Sequence, residues 1–228
     1  MSLFVISDLH LSLGCDKKMD VFKGWENYVD ILENNWRKTV GKNDTVVICG
    51  DISWGMTLGE SFEDFKFLNK LPGEKILLKG NHDYWWESVA KIEKFFQKNN
   101  FKNFNLMKNN SFERCGVILC GARGWTTKDM DDHDEKMVDR EIIRLKLSFD
   151  SCKNDKLEKI VFLHYPPYYF GFKSKIIEFL STHGVKNCYY GHIHSENSFK
   201  YTRVSLIDGI KCELVSCDYL RFIPKLII

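Results

Sequence analysis

Short apolar runs alternate along the chain with stretches in which apolar residues recur every three or four positions. Residues 3–7 form the first apolar run. Val21, Phe22, Trp25, Tyr28, Val29, Leu32 and Trp36 then recur at the spacing of an amphipathic helix. Residues 45–49 predict a second strand. Phe62, Phe65 and Leu68 predict a second helix, stopped by Leu71-Pro72-Gly73. Residues 75–79 predict a third strand and residues 88–97 a third helix. A β-α-β-α-β-α opening of this kind implies parallel strands joined by right-handed crossovers.

The middle of the chain changes character. Residues 111–114 and 117–120 predict a hairpin around Cys115-Gly116. Residues 126–135 are polar and acidic and read as a surface loop, followed by a helix over 136–149. A strand over 160–163, a helix over 175–180 and a strand over 188–190 follow. The end is β-rich, with strands expected at 203–207, 210–215 and 220–228 and a turn at Asp208-Gly209. There is no internal repeat and no low-complexity linker, so one α/β domain over 1–228 with a mixed sheet system is the simplest account.

The ends of the apolar runs carry the candidate chemistry. The first run ends in Asp8-Leu9-His10 and the second in Gly50-Asp51. The third ends in Gly80-Asn81-His82-Asp83. The run at 160–163 ends in His164, and that at 188–190 in Gly191-His192-Ile193-His194. Open α/β sheets gather ligands at the carboxyl ends of their strands, so five such ends would converge. A glycine before the ligand allows a sharp turn. In Asp8-x-His10 and His192-x-His194, alternate residues share a side if the chain stays extended. Each fragment alone has an ordinary reading as a turn, a cap or a core histidine. Five in order, each at a strand end, do not. Mixed Asp, Asn and His donors suit Mn, Fe, Zn or Ni rather than Ca or Mg. Asp8, His10, Asp51, Asn81, His164, His192 and His194 are more donors than one zinc takes, and suit two ions sharing a carboxylate.

Composition narrows the reading. With 33 basic and 31 acidic residues, the formal charge of +2 gives no general pull toward nucleic acid or an anionic membrane. No apolar stretch reaches the ~18 residues that a membrane helix needs. The first residues lack a basic leader, which leads to the expectation of a soluble, cytoplasmic protein. The eight cysteines show no C-x-x-C pair, and most lie inside apolar runs, so reduced buried thiols are expected. Cys15 sits in a loop after His10, where a reactive role is conceivable. Oligomeric state is not legible.

The order D-x-H, G-D, G-N-H-D, H, G-H-x-H resembles that of the calcineurin-like metallophosphoesterase superfamily, of the small prokaryotic phosphohydrolase type. The resemblance implies a four-layer α/β/β/α sandwich of two mixed sheets flanked by helices. It implies one divalent ion on Asp8, His10, Asp51 and His194 and a second on Asp51, Asn81, His164 and His192, with Asp51 bridging. It implies a phosphohydrolase acting on a small phosphomonoester or phosphodiester through a hydroxide bridging the two metals. Two divalent ions against Asp8, Asp51 and a hydroxide leave the site positive, and so attractive to phosphate.

His82 is expected to be the general acid for the leaving group and, with Asn81, to hold phosphate. Asp83 has two readings, orienting His82 or capping the next helix. Arg123 follows an apolar strand as the ligands do and is a candidate phosphate contact against the ordinary reading of a surface ion pair. Trp54, Tyr84, Trp85, Trp86 and Trp125 lie beside motifs, as pocket walls or as core. Tyr165-Pro166-Pro167-Tyr168 is read as a loop fixed at the rim. The acidic run 129–135 is read as a solvated loop rather than a third metal site. Asp51 is followed by Ile52-Ser53-Trp54-Gly55, without the arginine of the phosphoprotein phosphatases, so protein phosphatase activity is not expected. A nuclease is the main alternative, weakened by the balanced charge. A metal-binding scaffold without catalysis is the other, and the complete donor set opposes it.

Overall fold

A computed structural model describes residues 1–127, 131–154, 156–169, 171–202 and 206–228. In chain order the elements are β1 (Leu3–Ile6), α1 (Tyr28–Thr39), β2 (Thr45–Ile48), α2 (Phe62–Lys70), β3 (Glu74–Leu77), α3 (Val89–Lys98) and β4 (Phe104–Leu106). They continue with β5 (Phe112–Arg114), β6 (Val117–Ala122), α4 (Asp132–Asp150), β7 (Lys159–Leu163), β8 (Tyr168–Tyr169) and β9 (Phe172–Lys173). The remainder are α5 (Lys175–Thr182), β10 (Asn187–Tyr190), α6 (Glu196–Phe199), β11 (Leu206–Ile207), β12 (Ile210–Leu214) and β13 (Lys225–Leu226).

The strands form two principal sheets. One has the order β13-β1-β2-β3-β4, parallel except for β13. The other has the order β11-β12-β10-β7-β6-β5, parallel through β12-β10-β7-β6 and antiparallel at both edges. The central strands are buried on both faces, which is why they read as continuous apolar runs. Leu3, Val5, Val47, Ile76, Leu119, Ile160 and Phe162 turn toward the space between the sheets. Phe4, Ile6, Val46 and Ile48 turn the other way, onto α1 to α3. Val161, Leu163 and Cys188 do the same for α4 and α5. The result is two mixed sheets face to face with helices outside each, the α/β/β/α arrangement. At the carboxyl edge the sheets are tied together: Ser7 N–H donates to Val215 and Cys217 N–H to Ser7, both at 2.9 Å.

Several sequence expectations are corrected. The helical period beginning at Val21 becomes helix only at Tyr28, because Gly24 (φ 89°) and Asn27 (φ 53°) adopt left-handed conformations a helix cannot contain. The acidic run expected to be loop is in part a helix start. Asp131 accepts from Asp134 N–H at 2.8 Å, Asp134 accepts from Asp131 N–H, and Asp132 and Glu135 lie in the first turn of α4. Carboxylates there meet the free amides and positive end of the helix. Residues 128–130 of that run, and 203–205 of an expected strand, lie outside the described residues. The strand expected over 220–228 shrinks to Lys225–Leu226, since Arg221 and Phe222 turn left-handed to put Phe222 against Trp25 and Tyr28. β4 and the β8–β9 hairpin were not anticipated. All eight cysteines are free, and five of them are buried.

Candidate metal centre

β1, β2, β3, β7 and β10 end on one edge, and the residues that follow them meet there. Asp8, His10 and His194 form one group in which the candidate donor atoms all lie within 4.8 Å of one another. Asp51, His164 and His192 form a second such group. Asn81 joins the second: its Oδ1 lies 2.6 Å from His164 Nε2 and 2.8 Å from His192 Nδ1. In the first, His10 Nε2 and His194 Nε2 are 3.2 Å apart, and His194 Nε2 is 3.2 Å from Asp8. Asp51 stands between the two groups. Its Oδ2 is 3.8 Å from His10 Nε2 and 3.5 Å from His164 Nε2.

The backbone achieves this convergence under strain. Asp8 (φ 61°), His10 (φ 45°), Asp51 (φ 50°) and His192 (φ 72°) all occupy the left-handed region, which side chains with a Cβ rarely adopt. The chain is therefore not extended at D-x-H or H-x-H, contrary to expectation, and His192 and His194 turn to different groups. Gly80 and Gly191 are required for space. A Cβ on Gly80 would lie 2.1 Å from Asp51 Oδ1, and one on Gly191 2.2 Å from Asp8 Oδ2.

The outer contacts orient the rings. His164 Nδ1 bonds the Cys49 carbonyl at 3.0 Å, which turns Nε2 inward. His194 Nδ1 is 3.1 Å from Asp218, whose other oxygen accepts from Ser195 N–H. Asp8 accepts from His192 N–H at 2.9 Å and from the Ser216 hydroxyl at 3.0 Å. Such partners fix which nitrogen of a ligand histidine faces a metal. Asp218 and Ser216 were missed in the sequence. The signal was of the same kind, since the run ending at Val215 closes in Ser216-Cys217-Asp218, but it lacks the histidine and glycine that marked the other ends.

The electrostatics suit a cation. Burial raises the Asp51 carboxyl, and the charges of Asp8 and Asp83 raise it further. Burial also works against the Asp8 charge, but His194, with His164 and His10 behind it, more than offsets this and holds Asp8 well below the usual carboxylate range. Burial lowers His164 to about 3 and His192 to about 4, leaving both rings neutral, the form that binds metal. Ligands held ~2.1 Å from one ion at tetrahedral or octahedral angles stand ~3.0–3.5 Å apart, close to the spacings found here. Each group could hold a divalent ion, and Asp51 lies within 4 Å of a histidine from each.

A sequence model described as calcineurin-like phosphoesterase matches residues 1–196. The chain belongs to the calcineurin-like phosphoesterase family. The family is one of phosphoesterases. Among curated relatives it is 38% identical over 84 residues to the Gene 66 protein of Mycobacterium phage L5, a match spanning 34% of this chain and 37% of that protein. Among solved structures it resembles the phosphopantetheinyl hydrolase PptH of Mycobacterium tuberculosis, with a TM-score of 0.61 at 11% identity over 100% of this chain and 95% of the other. It also resembles a protein of unknown function, AQ665 of Aquifex aeolicus, with a TM-score of 0.53 at 16% identity over 99% and 95% of the two chains. At these identities the two structures speak to the fold alone.

Within this calcineurin-like fold the other candidates separate. His82 is half-buried beside the donors, its ring centroid 5.8 Å from His10 and 4.6 Å from Trp54. Its N–H donates to Asp51 at 2.7 Å. Asp83 neither orients His82 nor caps α3, whose cap is Ser88. Its buried carboxylate accepts from the N–H groups of Gly80, Asp51 and Ile52 at 2.8–2.9 Å and from Trp85 Nε1 at 2.9 Å. Those bonds hold the β2 and β3 loops together, while His82 Nδ1 has no partner among the described residues. Trp54 stacks on His10 at 4.7 Å, and Tyr165 lies against His192 at 4.2 Å, so both wall the site. Trp85 is core, packed on Phe65, and Trp125 packs against Tyr165. Tyr84 is exposed, 6.1 Å from His82. Trp25, not singled out in the sequence, adds a wall beside His194. Cys15 is not activated: burial and then Asp64 and Glu60 push its thiol up. Among the described residues no helix is long and apolar enough to cross a membrane.

Proposed function

We propose that the chain is a dinuclear phosphohydrolase that cleaves a small phosphomonoester or phosphodiester. The observation that carries this reading is Asp51, whose one oxygen lies within 4 Å of a histidine from each donor group. Asp8, His10, Asp51 and His194 would hold one ion, and Asp51, Asn81, His164 and His192 the other. Mn, Fe, Zn and Ni all suit these donors. Bound there, the ions supply Lewis acidity toward the phosphoryl oxygens and acidify water.

The chain's own residues do the rest. Neutral histidines and Asn81 leave a net positive site that attracts a phosphate oxyanion. The Asp83 bonds and the Asp51–His82 bond fix both ligand loops before substrate arrives, which spares reorganisation during reaction. His82 stands beside the donors, its Nδ1 without a partner among the described residues, and serves as the proton donor to the leaving oxygen. Burial, and then Lys17, lower its pKa, which eases release of that proton. Trp54 packs against His10 and Tyr165 against His192.

The test joins metal analysis to an ester panel. Protein stripped with chelator and reloaded with Mn²⁺, Zn²⁺, Fe²⁺ or Ni²⁺ should carry about two ions per chain and hydrolyse aryl phosphate or bis-aryl phosphate. The ratio of those two activities separates monoesterase from diesterase. A metal-loaded protein inert toward every ester would overturn the proposal.

A further inference from the structure

Along the same carboxyl edge, one strand further on, the chain builds a cationic cavity of about 200 Å³. Lys79, Lys108, Arg123, Arg144 and Trp86 line it, above a floor that includes Leu78 and Met107 of the inter-sheet core. The cavity adjoins the metal centre through the backbone twice. Lys79 is two residues from Asn81, at most ~7 Å along the chain. The Arg123 carbonyl accepts from His164 N–H at 3.0 Å and from Tyr165 N–H at 2.8 Å. Tyr165 in turn lies against His192.

The positive charge there is only partly neutralised from within. Arg144 is paired with the buried Glu141, and Glu87 at the wall is paired with Lys91. Among the described residues no carboxylate lies within ion-pair distance of Lys79, Lys108 or Arg123. Arg123 stands 5.1 Å from the Trp125 ring. Its Nε and Trp86 Nε1 are buried donors without a partner among the described residues. Buried donors are satisfied in the great majority of cases, so two unpartnered ones on residues that line one cavity are unusual.

We propose that this cavity holds a second phosphate of the substrate, so that the preferred substrate carries two phosphate groups joined by a short linker. The inference rests on the phosphohydrolase reading for the first phosphate. Arg123 and Lys79 grip the second, and Lys108 and Arg144 attract it from the rim. Planar guanidinium and ammonium donors in a half-buried cavity are suited to phosphate oxygens.

The experiment compares two inhibitors of whichever aryl ester the metal-loaded enzyme hydrolyses: propanediol bisphosphate and propyl phosphate. The bisphosphate should bind about tenfold or more tightly than the monophosphate, the scale of one or two charge-assisted hydrogen bonds. That preference should collapse toward unity in Lys79→Met and in Arg123→Met. Lys108→Met, at an exposed rim position, should reduce it less. Equal inhibition by both compounds in the natural enzyme, or a preference untouched by all three substitutions, overturns the proposal. If no ester is hydrolysed, the phosphohydrolase reading fails by itself. Calorimetric titration of the metal-loaded protein and the same variants with the two compounds then decides the cavity, by the same comparison.

Discussion

His82 stands between the donor groups and the aromatic wall, and its replacement separates chemistry from metal binding. In the metal-loaded enzyme His82→Ala should lower kcat by ~10²-fold or more, the usual worth of a general acid, with metal content unchanged by elemental analysis. Unchanged turnover would remove the role. Asp218 acts through another residue: it orients His194 from behind. Asp218→Asn should weaken metal affinity by ~10- to 100-fold in a competitive chelator titration while leaving saturated turnover nearer its original value. The candidate metal donors were legible in the sequence because each motif closes an apolar run. Their left-handed backbones were not. A positive φ at Asp8, His10, Asp51 or His192 leaves no mark on residue choice, since the ligand chemistry dictates the side chain there and the surrounding structure absorbs the strain.

The connecting loops matter as much as the strands they follow. Asp83 ties the loop after β2 to the loop after β3 through four backbone amides and one indole. Asp83→Ala leaves those donors buried without an acceptor and should cost about 3–5 kcal/mol in urea unfolding, as well as loosening metal binding. A small loss, under ~1 kcal/mol, would mean that water replaces the carboxylate. In sequence Asp83 looked like a partner for His82 or a helix cap because it lies between the two. Only the approach of the β2 loop reveals its donors, the N–H groups of residues 51 to 53. The start of α4 is the opposite case. Its acidic run was read by composition as loop, but the Asp131–Asp134 reciprocal bonds make those same charges a helix start. Polarity cannot distinguish a solvated loop from a capped first turn when both favour carboxylates.

Stability of the whole molecule carries a pH signature away from the metal centre. Lys75 is fully buried, and its amine donates to the carbonyls of Leu71 and Gly73. Burial, with some repulsion from Arg37, pushes its pKa down to about 7 from 10.5. The unfolded chain therefore binds more protons than the native one between those values, and this lysine's contribution makes stability rise with pH across that window. Lys75→Met should remove that contribution. The difference in unfolding free energy between variant and natural protein should change between pH 7 and 10, by up to ~1.4 kcal/mol per pH unit, in denaturant titrations. A pH-independent difference would show that the lysine keeps its proton in the fold. At this scale the division between sequence and structure is clear. The alternation of apolar runs and helical periods determined the central strands, most helices and the candidate donors, because burial on both faces of a central strand and the chemistry of metal ligands each restrict residue type locally. Tertiary structure alone decided how the donors divide between two groups, which carboxylates support them, and that Lys79, Lys108, Arg123 and Arg144 share a cavity. Those relations join residues far apart in the chain, and they arise only when two sheets pack face to face and bring their carboxyl edges together.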